Sequence, residues 1–236
     1  MTAAHLTIKG LGMERNGRWL FRNLSLSVPR GKFIAVVGPS GVGKSSLLSC
    51  LAGLIQPAEG EVVYCCNQGC NHDPRGFQTR IGIIFQNLLL SANTSVLKNV
   101  LCGRLGRYPW WKTLLRFPAA DAQEAYRIIV DLGLAPYVHR RVGEISGGEQ
   151  QRVGVARALF QDPEIVLADE PVSNLDVYLA GRVLGILRQH AHDHGRTVLC
   201  VLHDPKLVER FADYALSINP GDPEDWRLRE VTREAA

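Results

Sequence analysis

The stretch Phe33-Ile34-Ala35-Val36-Val37-Gly38-Pro39-Ser40-Gly41-Val42-Gly43-Lys44-Ser45-Ser46 decides the fold class. Its first five residues are apolar, and three of them are β-branched. Gly31 and Gly38 bound them, as expected of a buried strand. Residues 38–45 fit G-x-x-x-x-G-K-[ST] without a mismatch. The run from Ser46 to Ala52 suits a helix that Gly53 stops. Strand, glycine-rich loop and helix therefore arrive in the order that builds an anion site from backbone N–H groups and a helix N-terminus. Gly38, Pro39, Ser40, Gly41, Val42, Gly43, Lys44, Ser45 and Ser46 are expected to hold a nucleoside triphosphate. Lys44 would place its charge between the β- and γ-phosphates, and the Ser45 hydroxyl would ligate Mg²⁺.

Further along the chain, Ile165 to Ala168 reads as a second buried strand ending at Asp169-Glu170-Pro171, and Thr197 to Leu202 as a third ending at His203. Open α/β sheets bind ligands at the carboxyl ends of parallel strands, so distant segments converge on one site. An acid pair after a strand is a weak signal alone and gains weight from the phosphate loop. In that setting Asp169 is expected to reach Mg²⁺ through its water shell, and Glu170 to polarise the water that attacks the γ-phosphate. Residues from about 87 to 158 look helical, with Asp121 to Leu132 carrying apolar positions at Ala125, Ile128, Ile129 and Leu132. The expected architecture is α/β: a RecA-like P-loop NTPase core over about 1–86 and 159–236, with an inserted helical subdomain over about 87–158.

Composition is consistent with this. The chain has 236 residues, 46% hydrophobic and 21% charged, which excludes disordered, collagenous and coiled-coil classes. No apolar run approaches the ~18–20 residues that span a bilayer. Residues 1–10 lack the apolar region of a secretory signal, so the expected location is the cytoplasm. A net charge of +4 is too small to argue for nucleic acid. Residues 87–150 are enriched in basic side chains, which suits either solvated helix faces or a membrane-side partner.

Six cysteines at irregular spacings are expected to be reduced thiols without a framework. Cys65, Cys66, Cys70 and His72 lack the paired spacing of zinc sites, so they read as metal-free. His190, His192 and His194 read as a polar helix end with rings scattered about the axis.

Ile145-Ser146-Gly147-Gly148-Glu149-Gln150-Gln151-Arg152 separates this chain from other phosphate-loop proteins. Ser146 and Glu149 have the spacing of a capping box, and the two intervening glycines leave backbone bare for close approach by a ligand. With the phosphate loop and the Asp169-Glu170 strand end, the segment resembles the signature motif of the ATP-binding cassette family. The remaining motifs follow in that family's order: Gln86 in Ile84-Phe85-Gln86, then Ser173-Asn174-Leu175-Asp176, then His203.

The resemblance implies two copies stacked head to tail around two ATP molecules. Each ATP would be held by one copy's phosphate loop and the other copy's Ser146, Gly147 and Gly148. It implies Glu170, His203 and Gln86 as catalytic residues, and Ser45, Gln86 and Asp169 as Mg²⁺ contacts. Three departures stand out: Glu149 where the family has Gln, Asn174 where Ala is usual, and no aromatic at the usual adenine-stacking position. Arg15 and Trp19 are the candidates for that last contact.

The stretch from Asn87 to Trp110, together with Phe117, is similar to the segment that follows the motif of Gln86 in phosphonate-importer ATPases. That similarity implies a subunit docked on a membrane permease at the cytoplasmic face. A separate solute-binding protein would select the cargo, and no nucleic acid would be involved. The other classes compatible with the shared motifs are the ATPase of an exporter or lipoprotein-extraction system and a soluble, non-transport ATPase. Residues 220–236 show no family feature and are expected to be loosely held.

Overall fold

A computed structural model describes residues 4–66, 69–71, 77–108 and 117–232. His72, Pro109, Trp110, Lys112 and Arg116 lie outside the described residues, as does the side chain of Cys66. Two sheets organise the chain. An antiparallel sheet joins β1 (Ala4–Arg15), β2 (Arg18–Pro29), β4 (Glu59–Cys66) and β5 (Gly69–Asn71) in the order β2-β1-β4-β5. The second sheet contains β3 (Phe33–Val37), β6 (Ile81–Ile84), β7 (Ile165–Ala168), β8 (Thr197–Val201), β9 (Tyr214–Ile218) and β10 (Trp226–Glu230). Its order is β10-β9-β3-β8-β7-β6, parallel throughout except for the antiparallel edge strand β10.

The central strands are apolar on both faces because both faces are covered. Phe33 and Ala35 join Val166, Ala168, Val198 and Cys200 in one core cluster, whereas Ile34 and Val36 join Ile165, Leu167, Leu199 and Val201 in the other. This alternation along one strand explains the uninterrupted apolar runs. Each Val, Leu or Ile so buried contributes about 1.5–3 kcal/mol. Helix α1 (Lys44–Leu51) packs with the second cluster, between the two sheets, and its carboxyl end is tied down where the Tyr64 hydroxyl donates to the Leu51 carbonyl at 2.9 Å.

The first cluster is capped by helices: α2 (Val96–Leu101), α3 (Ala119–Asp131), α4 (Gly147–Phe160) and α5 (Val177–His194), with α6 (Pro205–Phe211) beside them. The buried side of α3 carries Ala125 and Ile129, followed by Leu132, as its periodicity suggests. Arg104, in a short 3₁₀ segment after α2, pairs with Asp121 (3.1 Å) and Glu124 on α3, and lies 4.1 Å from the centroid of the Phe160 ring on α4. That contact set locks three elements together. Helix α4 runs unbroken to Phe160, through position 158.

Three expectations are corrected. Cys65 and Cys70 form a disulfide, because the β4–β5 hairpin places them directly opposite with Cα atoms 4.1 Å apart. Cys50 and Cys200 remain buried thiols, and burial pushes the former up to about 11. The chain after Pro220 is held as far as β10, which pairs with β9 from Trp226↔Ile218 to Glu230↔Tyr214. The histidines do form a polar helix end, but not all three rings are scattered: His190 and His194, one turn apart, bring their ring centroids to 5.6 Å, whereas His192 lies apart and bonds Asp213 at 2.8 Å.

Candidate active site

All five parallel strands end on the same edge of the sheet. β3 feeds residues 38–45 and β6 leads to Gln86. β7 leads to Asp169 and Glu170, β8 to His203, and β9 to Asn219. The tight loop after β3 depends on glycine. Gly38 and Gly43 have φ of +152° and +108°, and an added Cβ would lie 2.6 Å from the Ile218 carbonyl oxygen or 2.9 Å from Leu20 Cβ, respectively. Lys44 is almost fully buried, and its ammonium donates to the carbonyls of Gly38 and Pro39, both at 2.8 Å. Burial lowers its pKa, against the opposing pull of the Glu170 and Asp169 carboxylates.

Glu170 sits in the left-handed region with φ of +52°, a conformation that costs a non-glycine residue about 1–3 kcal/mol and therefore needs support from its surroundings. His203 Nε2 lies 2.7 Å from Glu170 Oε1. The Asp169 amide donates to the Ile84 carbonyl at 2.9 Å, which brings the chain leading to Gln86 alongside the acid pair. Gln86 and the Ser45 hydroxyl are exposed.

A cavity of about 520 Å³ adjoins the loop, lined by residues 17–20, residues 39–42, and Asn219, Pro220, Gly221 and Pro223. Of the two adenine-contact candidates, Trp19 lines it and Arg15 does not. The Arg22 guanidinium lies 4.7 Å from the centroid of the Trp19 ring and is itself clamped by Glu59 through two bonds of 2.8 and 2.7 Å. The wall at 219–223 was missed from sequence. The signal was there, because Asn219-Pro220-Gly221 follows an apolar run as Gly38 follows β3.

Ser146, Gly147 and Gly148 do not line this cavity. They open α4 in a complete capping box: the Glu149 amide donates to Ser146 Oγ at 3.3 Å, and the Ser146 amide donates to Glu149 Oε2 at 2.7 Å. Burial pulls the Glu149 carboxyl up, but bonds from Tyr137 and Ser146 and the nearby Arg152 outweigh it and hold it below the usual carboxylate range. The acid is thus turned back onto its own helix end.

The two glycines differ. A Cβ at Gly147 would meet nothing, whereas one at Gly148 would lie 3.0 Å from the Asn174 carbonyl oxygen. Gly148 is thus confined from within its own chain, whereas the space beside the Gly147 backbone is open.

Sequence comparison identifies the group to which this arrangement belongs. The profile described as ABC transporter matches residues 21–173. The chain belongs to the ABC transporter ATP-binding family. The phosphonates import ATP-binding protein of Lactobacillus johnsonii is 39% identical over 210 residues, covering 87% of this chain and 83% of that one. The protein of the same name from Nitratidesulfovibrio vulgaris is also 39% identical, covering 87% and 79%. Among solved structures, a dimeric ATP-binding cassette in a post-hydrolysis state with ADP and phosphate superposes with a TM-score of 0.82 at 25% identity, covering 97% of this chain and all of that one. An inward-facing metal-chelate type transporter superposes with a TM-score of 0.80 at 27% identity, covering 97% and 84%.

Proposed function

We propose that this ABC ATPase powers an importer whose cargo is phosphonates or related phosphorus compounds. The relatives named above support that cargo class. The observation that carries the hydrolytic reading is the convergence of Lys44, Asp169, Glu170 and His203 at one sheet edge, with His203 2.7 Å from the Glu170 carboxylate.

In this reading the N–H groups of residues 38–46 and the Lys44 ammonium hold the phosphates, and Trp19 provides the face on which adenine stacks. Glu170 accepts a proton from the attacking water, and His203 orients that carboxylate and contacts the γ-phosphate. Ser45, Gln86 and Asp169 offer only oxygen donors with a single carboxylate. This set suits Mg²⁺, which binds through few protein ligands plus phosphate oxygens. When bound, the ion neutralises charge developing on the phosphates.

Ser146, Gly147 and Gly148 serve the nucleotide of a second, head-to-tail copy. Their helix N-terminus and N-cap hydroxyl bring partial positive charge toward an anion arriving from outside the chain. The dimeric state of the cassette relative supports this. Closure then depends on the γ-phosphate, and hydrolysis removes the contact that favours it.

Residues 1–86 and 159–236 act as the catalytic core and 87–158 as the coupling part, with Gln86 at their junction. A groove of about 370 Å³ lined by Ile83, Phe85, Leu89, Cys102 and Arg157 is where the permease docks, with Leu89 two-thirds exposed at its rim. The subunit works at the cytoplasmic face of the membrane, and a solute-binding protein selects cargo on the other side. A deletion strain should fail to grow on a phosphonate as its phosphorus source yet grow on inorganic phosphate. Equal growth on both would overturn the cargo assignment.

A further inference from the structure

Gln151 lies one helical turn beyond Ser146–Gly148 on α4 and is 3% exposed. Its amide is bonded at both ends to a segment 19–23 residues away. Nε2 donates to the Glu170 carbonyl at 2.7 Å and to Ser173 Oγ at 3.4 Å, and Oε1 accepts from the Asn174 amide at 3.1 Å. Both Ser173 and Asn174 are exposed, so water would satisfy them without a buried glutamine. The Glu170 carbonyl also takes the Ser173 amide and hydroxyl, at 3.4 and 3.3 Å, which makes it the knot of this turn. Glu170 is the residue held at φ of +52°, and rotating its peptide would swing the carboxylate away from His203. The same helix end presses Gly148 against the Asn174 carbonyl, so the turn is gripped from two sides.

We propose that Gln151 is a positioning residue that fixes the strained backbone of Glu170 to the helix end bearing Ser146 and Gly147. This rests on Glu170 being the hydrolytic base and on Ser146 facing the partner's nucleotide. One side of the Gln151 contact then touches this copy's own ATP site through Glu170, and the other touches the second site through the cap of α4. Displacement of the helix end by nucleotide in one site is transmitted to the base in the other along two hydrogen bonds. Gln151 touches neither substrate nor the reacting atoms.

The test uses the full chain with Mg²⁺ and ATP. Gln151→Leu removes all three bonds at similar volume. Gln151→Glu keeps an acceptor for the Asn174 amide but sets a carboxylate oxygen against the Glu170 carbonyl. Both variants should lose at least about tenfold in kcat, because a misplacement of 1 Å in a reacting group costs on the order of 100-fold. The KM for ATP should stay within about twofold, since ground-state binding is untouched, and the Hill coefficient for ATP should fall toward 1. In a Glu170→Gln background, Gln151→Leu should still form the ATP-dependent dimer.

A kcat within about twofold of the parent for Gln151→Glu would overturn the proposal. Loss of the ATP-dependent dimer in the double variant would also overturn it, by assigning Gln151 to packing alone. Parental turnover by Glu170→Gln alone would instead remove the base assignment, an outcome separable from the other two.

Discussion

His203 Nε2 and Glu170 Oε1 stand 2.7 Å apart at the ends of the adjacent parallel strands β8 and β7, although 33 residues separate them in the chain. The imidazole and the carboxylate are within hydrogen-bond distance, so each fixes the other's orientation. Glu170→Gln should retain ATP binding, lower turnover by about 10²–10⁴-fold and trap a dimer. His203→Ala should act in the same direction, and the double variant should be little worse than the more impaired single one, because groups acting as a unit are not additive. Phosphate release and gel filtration with ATP are the measurements.

The exposed N-cap of α4 gives a second prediction. Ser146→Arg places bulk and charge where a second copy's nucleotide would sit, so ATP-driven dimerisation should disappear while nucleotide binding to the monomer persists. Ser146→Ala should be milder, costing about 1 kcal/mol of stability from the lost cap. Sedimentation with and without ATP separates the two.

Trp19 should report nucleotide directly. Stacking on an aromatic ring is worth about 1–3 kcal/mol per base, so Trp19→Ala should raise the Kd for ATP by roughly 5–150-fold with little change in kcat. An unchanged Kd would place the base elsewhere in the cavity. Arg15→Ala should leave the Kd as it was.

His5 makes stability depend on pH. It is 2% exposed, its Nδ1 lies 2.7 Å from the Thr197 hydroxyl, and its pKa is lowered to about 4, chiefly by burial and further by Arg30 and Arg196. Glu164 stands 3.6 Å from Nε2 but is also engaged by Arg80 at 2.7 Å. Below pH 6.5 the unfolded chain takes up a proton that the folded one refuses. Stability is therefore full above pH 6.5 and falls as pH drops toward 4, by about 3 kcal/mol in all. His5→Gln should flatten this part of the denaturation profile.

The Cys65–Cys70 bridge predicts a labelling pattern. Under denaturing, non-reducing conditions, alkylation should modify Cys50, Cys102 and Cys200 and spare Cys65 and Cys70. A short loop of this kind contributes about 2 kcal/mol in the chain-entropy description, so reduction should lower Tm by several degrees. Full labelling without reductant would show the pair to be reduced.

Much of the site was legible in the sequence wherever its signal is local. The run from Phe33 to Ser46 declares a strand, a loop and a helix because each depends on residues within a few positions. Ser146 and Glu149 declare their cap for the same reason. The reading failed where a residue's partner is remote. Residues 220–230 read as loose because the strand that holds them, β9, is a separate element of the sheet, and Cys65 read as free because only the hairpin register sets Cys70 opposite it.

By itself, the order of residues determined which segments end in chemistry: the glycine-rich loop, Asp169-Glu170 and His203 each follow an apolar run whose burial is dictated by composition. Tertiary structure alone decided which of these ends are neighbours on the shared edge, because the strand order β9-β3-β8-β7-β6 is not the order of the chain. It also decided that Trp19 rather than Arg15 meets the cavity, and that Gln151 grips Glu170. Local conformation is set by neighbours a turn away, whereas a buried amide or a strained carboxylate is satisfied only by whatever group the packed sheet and helices bring within about 3 Å.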